Sequence, residues 1–309
     1  MRFNGSRRIA LAVSAVAVLG SSSVASAHEW HSHQPAHHPH THPGCPAHDR
    51  AFNYDRTVMH ADPSAYWDFG GPNGPTDLMG NPAADAIPGT QITHDEPGAI
   101  TCSADPSVKL FGATPDGIWQ SHIVAGPGAK TAAPGTAHFG IEIWVKPDTL
   151  DGNSRRIASR EQADGGYLLA ARSDALVFSR YAMDDQGTSH SNTVSAAPLP
   201  LHQWSYVVAN YDTDGTMRLY VNGMLVAQQA SDLSLPADPA DGTIDGGRLM
   251  FGASDRLWSA TDPNSTAYLE WDGNLDQAAF YGPDAHNLTP HEITKHWRVG
   301  NWMSHLGDR

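Results

Sequence analysis

Two carboxylates stand two residues apart in "LEWDGNLD", at Glu270 and Asp272. Residues i and i+2 of a β-strand share a face. Glycosidic bond hydrolysis needs two carboxyls about 5–5.5 Å apart for retention, or farther apart for inversion, so this pair is a candidate for that chemistry. Asn274 and Leu275 stand where a further glutamate would extend the pair. A second candidate is "HEITKH", with His291 and His296. Five residues of helix separate two side chains by about 140° around the axis, whereas a helical zinc pair needs a separation of four. These two histidines cannot grip one ion, and both are expected to be solvated. "QSHIV", with Gln120 and His122, faintly echoes a polysaccharide lyase motif, but no companion tyrosine segment accompanies it.

Histidine dominates elsewhere: eight of the 21 residues from 28 to 48 are His, interleaved with Pro and small residues. His31, His33, His37, His38, His40 and His42 offer neutral imidazoles that coordinate zinc, nickel or copper near neutral pH. Their spacings suit several competing registers and specify no single site. A catalytic metal needs fixed geometry and outer-shell support, so weak metal binding is the expected limit of this tail. Cleavage before His28 would also create an amine-plus-ring copper chelator, but the chain around it has almost nothing apolar to hold it in place. Cys45 and Cys102 are the two cysteines, and in an oxidising compartment an even pair more often bridges than reacts. A bridge across that separation is worth roughly 4 kcal/mol in the chain-entropy model.

For a ligand on a β-sheet face, aromatic and planar polar side chains are the useful types. "SRYAMDD" and "SDRLWSA" supply Arg180, Tyr181, Arg256 and Trp258. Calcium suits an acidic, loop-rich body that offers carboxylates and carbonyls. "DTDG", with Asp212 and Asp214, lacks the remaining acidic positions of a calcium loop and reads as a hairpin turn.

The elements that must position these residues follow from local pattern. Arg2, Arg7 and Arg8, the apolar run Ile9 to Gly20 and the small residues Ala25-Ser26-Ala27 read as an export signal over residues 1–27, through either the general or the twin-arginine route. Its removal takes three arginines and moves the net charge from −14 to −17. Such acidity argues against nucleic acid and anionic lipid as partners. No later run is long and apolar enough for a transmembrane helix, so a secreted protein without membrane insertion is expected. Residues 28–50 lack the apolar content to order themselves, and residues 51–309 form one body.

In that body "HFGIEIWVKP" alternates: Phe139, Ile141, Ile143 and Val145 on one face, His138, Glu142, Trp144 and Lys146 on the other. The spacing predicts a half-buried strand. "WSYVVANY" is apolar on both faces, as a strand covered by two layers is. Asn222-Gly223 predicts a tight hairpin between "MRLYV" and "MLVAQQ". Further strands are predicted at "GYLLAAR", "ALVFSRYAM", "RLMFGA" and "LDQAAFYG". "TPHEITKHW" alone reads as helix, with Thr289 and Glu292 as a capping box and Pro290 in the first turn. Short strands parted by Gly, Asp and Pro imply an all-β sandwich or barrel.

The order "FGIEIWVKP", "LHQW", "RLYVNGMLV", "RLMFGA", "WDGNLDQAAFYG", "LTPHEITKHWRVGN" resembles the laminin G-like, concanavalin A-like jelly-roll family of secreted bacterial proteins. Upstream, "DPSAYWDFGG" resembles that family's first strand and "PGAITCSADPSVKLFGA" its second and third. The resemblance implies a sandwich of two curved antiparallel sheets with a short C-terminal helix. It implies a structural calcium joining the first and last strands, with Asp68 and Asp276 as ligands, although Gln277 stands where the family usually carries an acidic residue. It also implies that the segment holding Glu270 and Asp272 is a non-catalytic closing strand, and jelly-roll endoglucanases carry a further glutamate that is missing here. The expected function is a secreted, non-catalytic binding module for carbohydrate or another extracellular surface. A glycoside hydrolase or lyase on the same fold, and an extracellular metal-handling protein, are the alternatives.

Overall fold

The computed structural model describes residues 51–70, 75–80, 85–86, 92–103, 105–112, 122–125, 138–161, 165–184, 186–233, 249–254, 269–282 and 285–301. All lie in one compact unit. The His-rich tail, Cys45, Gln120, Arg256 and Trp258 lie outside the described residues.

Two antiparallel sheets form the body, with strands numbered along the chain. The first runs β14 (Met224–Ala230), β13 (Thr216–Val221), β12 (Ser205–Tyr211), β7 (Phe139–Pro147), β16 (Asp272–Tyr281), β1 (Ala65–Asp68) and β2 (Thr76–Asp77). Beside it β5 (Pro106–Phe111) also pairs with β16, and β4 (Ile92–Pro97) with β5. The second runs β11 (Ser189–Ala196), β10 (Leu176–Met183), β9 (Gly165–Ala171), β8 (Arg155–Glu161), β15 (Met250–Phe251), β6 (Ile123–Val124) and β3 (Asp85–Ala86). This is the sandwich the sequence predicts. The stretch that resembled second and third strands supplies a turn near residues 98–103 and the single strand β5.

Side-chain alternation builds the core. Phe139, Ile141, Ile143 and Val145 of β7 meet Leu169 of β9, Leu176 and Phe178 of β10 and Phe251 of β15 between the sheets. Each large side chain buried there contributes about 1.5–3 kcal/mol. The hairpin after β13 turns through Asn222 (φ 52°) and Gly223 (φ 79°), the left-handed conformations that a two-residue turn demands and that this pair tolerates. The "DTDG" segment is likewise a turn, with Asp212 N–H donating to Thr216 O at 3.0 Å.

The other face of the first sheet is also buried, which corrects the half-exposed reading of β7. Two helices cover it: α1 (Ala51–Met59), which the sequence pattern did not announce, and α2 (Pro290–Gly300). Tyr54 and Val58, one helical turn apart on α1, join Tyr66, Trp144, Tyr206, Val208, Tyr281 and Ile293 of α2 in a second core. α2 starts as predicted: Glu292 N–H donates to Thr289 Oγ1 and Thr289 N–H to Glu292 Oε2. His296 is not solvated. It is 1% exposed, and its Nδ1 lies 2.9 Å from Oε2 of the fully buried Glu142. The hydroxyls of Tyr206 and Tyr281 donate to the same carboxylate. A buried carboxylate persists only with partners of this kind, and here they come from β12, β16 and α2.

Candidate functional site

The site is built where β16 changes partner. Residues 272–275 pair with β5 and residues 278–280 with β1. On the opposite edge, β7 registers Asp276 against Trp144 and Ala279 against Glu142, so one extra residue is inserted. Such a bulge leaves a residue unpaired and re-aims side chains; Gln277 takes φ 47° within it. The changeover brings the end of β1, the residue before β5 and the bulge of β16 together. Asp68, Asp105 and Asp276 each direct a carboxylate oxygen into one cluster, and those oxygens lie within 4.8 Å of one another.

The surroundings hold this geometry. Asp68 Oδ1 accepts from Gly70 N–H at 2.9 Å, and Asp276 Oδ2 accepts from Ala99 N–H at 2.7 Å. Gln277 Nε2 donates to Asp105 Oδ2 at 2.6 Å. The Tyr66 hydroxyl lies against Gln277 Oε1 and donates to Asp55 Oδ1 of α1 at 2.6 Å. The backbone closes in where a side chain would not fit: a Cβ on Gly70 would stand 2.0 Å from Pro106 O, and one on Gly98 would stand 2.2 Å from Asp105 O. Gln277, which departs from the family pattern, thus positions the cluster by hydrogen bonding.

Electrostatically the three carboxyls crowd one another. Burial, followed by the nearby charge of Asp105, pushes the Asp276 carboxyl well above the usual carboxylate range. Burial also raises Asp68. Asp276 is fully buried, yet its Oδ1 has no hydrogen-bond partner. Three hard oxygens at this spacing, one of them buried and unsatisfied, match the 2.3–2.6 Å oxygen coordination of calcium better than the nitrogen and sulfur preference of zinc. The residues therefore fit calcium. Asp68 and Asp276, paired through the resemblance, are brought together. Asp105 was not singled out, and its signal was only its place just before the strand that pairs with β16.

The other sequence candidates meet different fates. Arg180 does not border an open face. It points between the sheets, 2% exposed, with its guanidinium 3.5 Å from the Tyr211 ring centre and Nη1 donating to Ser231 Oγ at 2.9 Å. Tyr181, one residue on, takes the opposite face of β10 and is buried too. Burial drives His122 down to about 4, so it is neutral near pH 7. Cys102 is not a free thiol. Glu270 is closed off from solvent, whereas Asp272 is half-buried and its Oδ2 accepts from Thr149 Oγ1 at 2.6 Å. The two carboxylates do not share one open cleft among the described residues.

Comparison with known proteins fixes the family. The profile described as the concanavalin A-like lectin/glucanases superfamily, of the laminin G type, matches residues 120–294, more than half the chain. The chain belongs to the concanavalin A-like lectin/glucanase superfamily. No curated protein sequence matches it. Among solved structures, the binding domain of Paraclostridial Mosquitocidal Protein 1 is similar at a TM-score of 0.54 and 13% identity, over 77% of this chain and 52% of that one. The botulinum neurotoxin serotype C1 binding domain gives 0.53 at 13% identity, over 77% and 52%. The binding domain of botulinum neurotoxin DC in complex with SialylT gives 0.50 at 12% identity, over 77% and 52%. The chain spans about half the length of these domains, and at such identities the likeness is one of fold. Within the superfamily sandwich of this chain, the carboxylate cluster lies at the β1–β5–β16 junction, on the face of the first sheet that α1 and α2 cover. No described helix is long and apolar enough to cross a membrane.

Proposed function

We propose that the chain is an exported, non-catalytic binding module that recognises a carbohydrate or another extracellular surface ligand. The observation that carries this reading is the fate of the carboxylate pair: Glu270 is sealed while Asp272 is tied to Thr149. A glycosidase needs both groups flanking one substrate bond. The fold shared with toxin binding domains supports the same reading. In it, Asp68, Asp105 and Asp276 hold a structural calcium ion that ties β1 and β5 to β16. Cys45 bridges Cys102, residues 1–27 direct export, and the histidines between 31 and 42 bind zinc, nickel or copper weakly.

The test is a glycan array probed with the mature chain in calcium buffer. Hits support the module. Silence, joined with release of reducing ends from a polysaccharide panel that Glu270→Gln abolishes, replaces it with the hydrolase. Calorimetry of zinc and copper titrations, with and without residues 28–48, tests the tail.

A further inference from the structure

At one end of the sandwich a pocket of about 160 Å³ opens between Phe111 and Gly112 at the end of β5, Thr149 in the β7–β8 loop, Arg155 at the start of β8 and Asp272 at the start of β16. We propose that this pocket is the ligand-reading site and takes one neutral sugar ring through a pair of adjacent hydroxyls. The inference rests on the binding function above and gives it a place, separate from the carboxylate cluster.

The walls are set by strand register. Asp272 and Phe111 are direct cross-strand partners, which puts a carboxylate and an aromatic ring side by side. Lys109 sits over the Phe111 ring, 5.5 Å from its centre, and pairs with Asp148, so the ring is held from one side. Asp151 fixes the Arg155 guanidinium with two bonds, Nε to Oδ1 at 3.1 Å and Nη2 to Oδ2 at 2.6 Å, while Nη1 donates to Glu270 O at 3.4 Å. Five N–H donors minus these three leave two, and the side chain is 23% exposed. Asp272 spends one oxygen on Thr149 and keeps acceptor capacity on the other.

A hydroxyl both donates and accepts. Two neighbouring hydroxyls of one ring therefore satisfy this pair together, one donating to Asp272 and one accepting from Arg155, with a C–H face against Phe111. The size limits the occupant. Pockets for drug-sized ligands begin near 300 Å³, so about 160 Å³ holds one ring and not a chain segment. The charge selects it too. The two charged residues of the lining, Asp272 and Arg155, carry opposite signs, so the pocket has no net charge to hold an ionised uronic, sialic or sulfated sugar. Gly112 completes the wall, since a Cβ there would stand 3.1 Å from the Asp272 Cβ and push the carboxylate aside.

The experiment takes the mature wild-type chain and three variants, Asp272→Asn, Thr149→Val and Gly112→Ala. It measures affinity by calorimetry for the strongest array glycan and for the free neutral monosaccharide that ends it. Asp272→Asn is expected to lose at least about tenfold, the equivalent of one charge-assisted hydrogen bond. Gly112→Ala is expected to lose binding, and both ligands should respond alike. Melting curves check folding, and if Asp272→Asn melts early, Thr149→Val carries the test. Unchanged affinity in all folded variants, with array hits intact, overturns the pocket and leaves the binding function standing. Preference for acidic sugars overturns the neutral-ring class, and an array on which the wild type binds nothing overturns the sugar pocket together with the carbohydrate form of the binding function.

Discussion

Removing calcium from the wild-type chain and from Asp276→Asn tests the cluster at the β16 bulge directly. An ion held there would bind only the folded state, because Asp68, Asp105 and Asp276 come from segments far apart in sequence and converge through strand pairing. At calcium a hundredfold above the dissociation constant, such a ligand adds about 2.7 kcal/mol of stability. For a domain of this size that is roughly 5–11 °C in melting temperature. Asp276→Asn keeps an oxygen for the Ala99 N–H and the buried volume, but removes one of three charges. If affinity falls about a hundredfold, the same calcium adds only about 0.4 kcal/mol, near 1 °C. In EDTA the variant should melt no lower than the wild type, because the substitution removes a carboxyl whose charged form burial already disfavours. Differential scanning fluorimetry with EDTA back-titrated by calcium reads all four conditions. A wild-type melt indifferent to calcium refutes the site, and so does a variant that responds as strongly as the wild type.

Three further outcomes follow from the same coordinates. Glu142→Gln should cost about 1.5–3 kcal/mol, the range for hydrogen bonds to a charged group, because Glu142 takes bonds from Tyr206, Tyr281 and His296; chemical denaturation should show the loss, and a change below about 1 kcal/mol would mean that α2 is anchored by its apolar contacts alone. His122, pushed to about 4 by burial from an unfolded value near 6.5, binds fewer protons folded than unfolded between those values, so stability rises with pH there and about 3 kcal/mol is lost on acidifying from 6.5 to 4; His122→Gln should flatten that part of the denaturation profile. Cys102→Ser should lower stability by up to about 4 kcal/mol if Cys45 closes the loop, and mass spectrometry under non-reducing conditions should show the wild-type chain lighter than its reduced form by two hydrogen atoms.

Much of the architecture was legible in local pattern. The Phe139 to Val145 alternation, the doubly apolar "WSYVVANY", the Asn222-Gly223 turn and the Thr289–Glu292 cap each formed as read. Legibility failed where a second layer intervened. Glu142 and Trp144 look like a wet face in sequence, and only the packing of α1 and α2 dries them. His296 followed them inside for the same reason. Arg180 and Tyr181 were both read as border residues, but period-two alternation sends neighbours to opposite faces, and register chose the inside for Arg180.

The sequence by itself determined most of the long strands, though not β8 or β11, their turns and, through the resemblance that motif order carries, the family and two of the three clustered aspartates, because alternation, turn chemistry and motif order are local properties of the chain. Only the tertiary structure decided which face of each strand is dry, that Asp105 joins Asp68 and Asp276, and that Phe111 stands across from Asp272. Those facts depend on register between segments far apart in the chain, and a one-residue slip in any pairing would have sent every one of those side chains elsewhere.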